Sequence, residues 1–145
     1  MQYQKAYRPT FTLTGIARRT SNAHPEQIGA FWETFRTRKI AQKLPQRTSD
    51  AVYSLYTEYD SDHTGEYTLL LGYEVPADVE VPEGMHKVTI PAARYAVVDA
   101  RGPQPMTLIN SWQEINTSNM ERSYGCDFDI YWGPESVEIY VSLEE

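Results

Sequence analysis

Two segments of the chain carry the same helical pattern, and this repetition limits the available folds more than any other feature. Apolar residues spaced as in both segments fall on one side of a helix and form a stripe that must be buried. Each pattern has a tryptophan at its centre. The stripes are formed by Ile28, Trp32 and Phe35 in the first segment and by Leu108, Trp112 and Ile115 in the second.

Alternating polarity predicts strands around each helix. One strand precedes the first helix at residues 11–17, and another lies within residues 86–100, interrupted or bent at Pro91. The strand pairs that follow the helices are residues 52–60 with 68–75, and residues 125–133 with 137–143. Residues 76–84 contain two prolines and predict a linker.

We therefore predict an α+β fold of two strand-helix-strand-strand modules, at about residues 9–76 and 85–145, related by a pseudo-twofold axis. Antiparallel sheets would carry the helices on one face, with a ligand cleft between the halves. The alternative is a plain α+β domain whose two helices each happen to carry a tryptophan.

Composition restricts the function. A chain of 145 residues with 41% hydrophobic residues predicts one globular domain, residues 1–145. The net charge of −7 disfavours nucleic acid and favours cationic or neutral ligands. The single cysteine, Cys126, and the lack of an apolar run of membrane-span length predict a cytoplasmic protein without a membrane segment.

The strand pairs also predict how residues divide between the two sheet faces. We expect the apolar sets to lie under the helices, namely Tyr53, Leu55, Leu69 and Leu71 in the first half and Phe128, Ile130, Val137 and Ile139 in the second. The opposite face would carry Ser54, Tyr56, Glu58, Leu70, Gly72, Glu74, Asp127, Asp129, Tyr131, Glu138 and Tyr140. Tyrosine rings and shielded carboxylates suit a lipophilic cation.

An ordered set of short segments resembles the GyrI-like small-molecule-binding domain family, also called the AraC-type effector-binding domain. The segments are residues 72–75, residues 90–95, Gly102, Trp112, residues 127–131 and residues 137–141. The resemblance implies a duplicated fold with a cleft for lipophilic, often cationic, compounds. It also implies a cleft glutamate at Glu138. Asp129 stands where the family commonly has glutamate, and Ser142 stands where proline is usual.

Family members often follow a DNA-binding segment, and the short stretch before the first strand predicts a stand-alone member. The expected ligand-binding residues are Glu138, Tyr140, Tyr131, Tyr56, Asp129, Gly72, Trp112 and Trp32, with Phe31 and Tyr95 as weaker candidates. Each has a plainer interpretation: an exposed strand glutamate, cross-strand packing of tyrosines, or a tryptophan in the helix–sheet core.

The first functional hypothesis is a small-molecule binding protein that senses or sequesters lipophilic cations. A second is a small hydrolase of reactive xenobiotics, with Glu138 as base or nucleophile and Tyr140 or Tyr131 as donor. A third is an interaction protein for gyrase or a transcription regulator. The three histidines are scattered, and residues 60–65 mimic a calcium loop with Leu71 at its twelfth position, so we expect no metal and no cofactor. The sequence does not indicate the oligomeric state.

Overall fold

The computed structural model describes residues 1–145 and contains eight β-strands and two α-helices. Neither helix has the length and apolar character that a membrane span requires. The elements are β1 Gln4–Arg8, β2 Phe11–Ser21, α1 Pro25–Thr37, a short 3₁₀ helix Ile40–Lys43, β3 Val52–Thr57, β4 Glu66–Val75, β5 His86–Ile90, β6 Ala93–Asp99, α2 Met106–Thr117, β7 Asp127–Gly133 and β8 Ser136–Ser142.

All strands lie in one antiparallel sheet with the order β1-β6-β8-β7-β3-β4-β2-β5. The strands that directly follow the helices, β3 and β7, are neighbours at its centre. From this centre the order outward is the same in both directions: the next strand in the chain, then the strand that precedes the helix. The predicted α+β class is confirmed, whereas an internal duplication stays a prediction.

Both helices pack on the same face of the sheet, as predicted. Phe35 of α1 is buried with Leu69 and Leu71 of β4, and Ile115 of α2 is buried with Val137 and Ile139 of β8. The pairs Leu71–Ser54, Ser54–Asp129 and Asp129–Ile139 connect the two clusters across the central strands. Since directly paired residues point to the same side, this row lies beneath the helices.

The structure adds one strand to those predicted, and it interrupts the strand predicted within residues 86–100 at Pro91. The polar N-terminus was not expected to form a strand, but β1 pairs with β6 at one edge of the sheet. Residues 86–100 form two strands in different halves, because β5 pairs with β2 whereas β6 pairs with β8. Pro91 lies between them. Such partners are distant in sequence, so local alternation cannot reveal them.

The sheet is strongly curved. Phe11 of β2 and Phe128 of β7 are three strand spacings apart in the sheet, which is about 14 Å if flat, yet their ring centroids are 5.3 Å apart. Gly15 and Gly72 are paired where β2 meets β4. A Cβ on Gly72 would lie 2.1 Å from the Thr14 carbonyl oxygen, so only glycine permits this approach.

Because of this curvature, the face opposite the helices is concave and buries a core of its own. The core contains Phe11, Leu13, Ala51, Tyr53, Leu55, Leu70, Ile90, Tyr95, Phe128 and Ile130. The predicted division of residues between faces therefore holds for β4 and β8 but is wrong for β3 and β7. Tyr53, Leu55, Phe128 and Ile130 lie on the concave face, and Ser54, Tyr56, Asp127, Asp129 and Tyr131 lie beneath the helices.

Candidate ligand-binding site

Five of the eight predicted site residues meet at the centre of the helix-covered face, where the two halves join. Tyr56 lies on β3, Asp129 and Tyr131 lie on β7, and the indoles of Trp32 and Trp112 reach them from α1 and α2. We call these five residues the central cluster. Both halves and both helices contribute to it.

The carboxylate of Asp129 is the polar centre of this cluster and is completely buried. The Tyr56 hydroxyl donates a hydrogen bond of 2.7 Å to Asp129 Oδ2, and Trp112 Nε1 donates one of 2.9 Å to Oδ1. Burial raises the pKa of Asp129 to about 7 from an ordinary 3.8, although these two hydrogen bonds act to lower it.

Asp127 lies two residues before Asp129 on the same face of β7, and its buried carboxylate is neutralised by an arginine. The guanidinium of Arg122 donates to Asp127 Oδ2 at 3.0 Å, and both side chains are almost fully buried. Tyr59 and the Ser142 amide donate to the same carboxylate at 2.6 Å and 2.7 Å. Asp129, in contrast, has only neutral donors and no cationic side chain within 4.0 Å.

Aromatic rings from both halves contact Asp129 and extend from it, since Tyr56 and Trp112 donate to its carboxylate. Trp32 contacts Tyr131 edge to face at 5.2 Å, and Tyr56 contacts Trp112 at 5.4 Å. Tyr67, which the sequence analysis did not include, contacts Tyr56 at 5.6 Å. Such rings attract cations through their faces. The cluster thus combines an uncompensated carboxylate with a lipophilic wall.

The two helices that cover this cluster are held to the sheet by few buried residues. In α1 only Phe35 is fully buried, and in α2 only Ile115 is. Neither helix has a side-chain hydrogen bond at its N-cap, and α1 begins at Pro25, where a missing N–H has no consequence. The indoles of Trp32 and Trp112 are half-buried, so the cluster lies near the surface between the helices.

The other three predicted residues, Glu138, Tyr140 and Gly72, lie on the concave face and do not join the central cluster. The half-buried carboxylate of Glu138 accepts a hydrogen bond of 2.8 Å from the exposed indole of Trp132. Glu138 also borders an open groove of about 660 Å³ next to Asp99. Gly72 serves the close approach of β2 and β4 described above.

A cation of the chain itself occupies the aromatic concave side at Tyr140. The ring of Tyr140 stacks on Phe128 with 4.9 Å between centroids. The Arg8 guanidinium lies 4.1 Å from the Phe11 ring centroid, 5.3 Å from that of Phe128 and 5.5 Å from that of Tyr140. It also lies 3.5 Å from the Glu74 carboxylate. On this side the fold supplies the cation that the central cluster lacks.

The weaker candidates divide in the same way. Tyr95 lies in the concave core, and Phe31 packs against the buried apolar residues beneath α1, which include Leu69 and Leu71. Ser54 is a further residue beneath the helices, fully buried and paired directly with Asp129. The sequence indicates this position, because Ser54 lies two residues before Tyr56 on the same strand and therefore shares its face.

Comparisons with known proteins identify the family of the chain and proteins that share its fold. The Cass2 family model, described as integron-associated effector binding protein, matches residues 6–143. YobU of Bacillus subtilis, named as a candidate transcriptional regulator, is 30% identical over 127 residues, which are 82% of this chain and 79% of YobU.

Two solved structures share the fold. An integron cassette protein of Vibrio cholerae, VCH_CASS2, has a TM-score of 0.81 at 28% identity, covering 98% of this chain and 95% of its own. SAV2435, solved with bound tetraphenylphosphonium, has a TM-score of 0.81 at 17% identity, covering 99% and 94%.

Proposed function

We propose that this chain, which belongs to the Cass2 family of integron-associated effector binding proteins, binds lipophilic cations at the central cluster. The observation that carries the proposal is the Asp129 carboxylate, which is fully buried and surrounded by neutral donors alone. A neighbouring carboxylate with its own arginine shows that the fold can neutralise such a charge when the charge is structural.

The energetics of a buried carboxylate favour a cationic ligand. Desolvation makes the ionised form costly, so the free protein tends to keep Asp129 protonated near neutral pH. A cation that enters the cluster would stabilise the ionised form through a Coulomb interaction weakly screened by water. A lipophilic body on that cation would keep water out and preserve this advantage.

The aromatic residues suit the remainder of such a ligand. Trp32, Trp112, Tyr56 and Tyr131 present rings from both halves around one carboxylate. Contact with a cation stabilises each ring–ligand pair by about 0.5–2 kcal/mol, depending on how much water is excluded. A bulky ligand would touch both halves at once.

The solved neighbour SAV2435 supports this ligand class, since tetraphenylphosphonium is a permanent cation with four phenyl groups. We further propose that the chain is a member of the GyrI-like, AraC-type effector-binding domains that its sequence resembles. In this reading the chain senses its ligand within transcription regulation, a role that the name of YobU also suggests.

Titration of the protein with tetraphenylphosphonium, followed by tryptophan fluorescence and calorimetry, tests the proposal. Asp129→Asn and Glu138→Gln are matched variants, because each removes one carboxylate and leaves the shape nearly unchanged. We expect Asp129→Asn to weaken binding at least about thirtyfold, the effect of removing one partner of a buried charge pair. Glu138→Gln should stay within about twofold of the parent. The reverse result would move the site to Glu138 on the concave face and refute the proposal.

A further inference from the structure

The hydroxyl of Ser54 is a buried polar group that the fold leaves without a partner. Ser54 is completely buried, and no donor or acceptor of the protein forms a hydrogen bond with its Oγ. Buried hydroxyls are nearly always hydrogen-bonded, because an unmade bond lowers the stability of the folded state. Such an exception therefore needs a reason.

The position of this hydroxyl points to the ligand site. Ser54 of β3 is paired directly with Asp129 of β7, so the two side chains leave the sheet side by side on the helix-covered face. The Tyr56 hydroxyl donates to Asp129, and it is near enough to Ser54 for the serine to affect the pKa of Tyr56. Burial and Asp129 raise the pKa of Tyr56, and the nearby Ser54 hydroxyl lowers it, although the contact between the two hydroxyls does not have the geometry of a hydrogen bond.

The hydrogen bonds of Asp129 leave acceptor capacity beside Ser54. Each carboxylate oxygen accepts one bond in the structure, from Tyr56 at Oδ2 and from Trp112 at Oδ1. A carboxylate oxygen can accept two, so one lone pair on each oxygen is free. The Ser54 oxygen adds a further acceptor on the directly paired residue, where Cβ atoms are about 5 Å apart, and together they form a small acceptor group beneath the helices.

We propose that Ser54 and Asp129 together select lipophilic cations that carry N–H groups, such as protonated primary amines and amidines, over quaternary cations. This inference rests on the proposed function. An ammonium group placed against Asp129 would donate one N–H to the carboxylate and a second to Ser54 Oγ. A quaternary cation satisfies the charge of Asp129 but leaves the serine hydroxyl unpaired, as it is in the free protein, so only a cation with N–H groups gains the second hydrogen bond.

The test uses two ligands that differ only at the cationic group: a diphenylalkyl primary ammonium and its N,N,N-trimethyl derivative. Calorimetry gives the affinity of each for the parent, for Ser54→Ala and for Asp129→Asn. We expect Ser54→Ala to lower the preference for the primary ammonium about tenfold, through that ligand alone. The affinity for the trimethyl derivative should change by less than about twofold.

The outcomes separate the two ideas. If Ser54→Ala weakens both ligands equally or neither, while Asp129→Asn abolishes both, the selection by Ser54 is refuted and the cation site survives. If the parent binds neither ligand, both ideas fail.

Stability gives a second measurement. Because Ser54→Ala removes an unsatisfied hydroxyl, its Tm should be equal to that of the parent or higher by about 3 °C. A clear drop in Tm would mean that the hydroxyl already has a partner within the fold, which overturns the inference.

Discussion

Replacing Asp129 by asparagine should stabilise the protein at alkaline pH far more than at acidic pH. In the folded chain the Asp129 pKa is raised to about 7, mainly by burial, from an ordinary value of 3.8. The folded state therefore binds this proton more tightly than the unfolded state. The stability that depends on the proton is complete below about pH 3.8 and is lost as the pH rises through about 7.

The size of the effect follows from these two pKa values. Each unit of pKa difference corresponds to about 1.4 kcal/mol, so the full contribution is about 4 kcal/mol. Between pH 5 and pH 8 the parent should lose about 2.5 kcal/mol of this contribution. Asparagine keeps the shape and an acceptor for the Trp112 indole but does not titrate.

Urea denaturation of both proteins at several pH values measures this difference. The gain in unfolding free energy of Asp129→Asn over the parent should grow by about 2.5 kcal/mol from pH 5 to pH 8. Parallel pH profiles for Asp129→Asn and the parent would refute the description of Asp129 as a desolvated, unpaired acid.

Two further substitutions test the structural framework around the site. Arg122→Leu would leave Asp127 as a buried charge without its cation and should cost about 3–5 kcal/mol in urea denaturation; a loss under about 1 kcal/mol would contradict the buried pair. Gly72→Ala would place a Cβ 2.1 Å from the Thr14 carbonyl oxygen and should cost about 3 kcal/mol by overpacking. Its control is Gly29→Ala on α1, where nothing lies within 4 Å, which should gain about 0.5–1 kcal/mol from helix propensity; equal effects of the two glycine substitutions would contradict the close approach of β2 and β4.

The sequence predicted the modules because helical and strand periods are local properties. Both helices, the strand pairs after them and the placement of the helices on one face agree with the structure. The sequence does not predict the edge strand β1, and it allows an interruption at Pro91 without indicating that the two parts pair in different halves. Their pairing partners, β6, β2 and β8, are set by the whole sheet and leave no local signal.

The faces of β3 and β7 were reversed for a physical reason. The prediction assumed that a sheet with helices on one side is apolar only on that side. Curvature buries the concave side as well, so Leu55 and Phe128 pack there and leave Tyr56 and Asp129 beneath the helices. The composition of the strands indicates tyrosines and acidic residues as site candidates. Only the pairing register of the strands shows that Asp129 and Glu138 lie on opposite faces of the sheet.

Calorimetry of tetraphenylphosphonium binding at pH 7, in buffers of different ionisation enthalpy, measures whether Asp129 ionises when a cation binds. This ligand carries no proton, so any proton exchanged on binding belongs to the protein. With a pKa of about 7, Asp129 is half protonated in the free protein at pH 7. We expect the release of about half a proton per ligand at pH 7 and almost none at pH 9. Binding without proton release at pH 7, or release that persists in Asp129→Asn, would contradict this expectation.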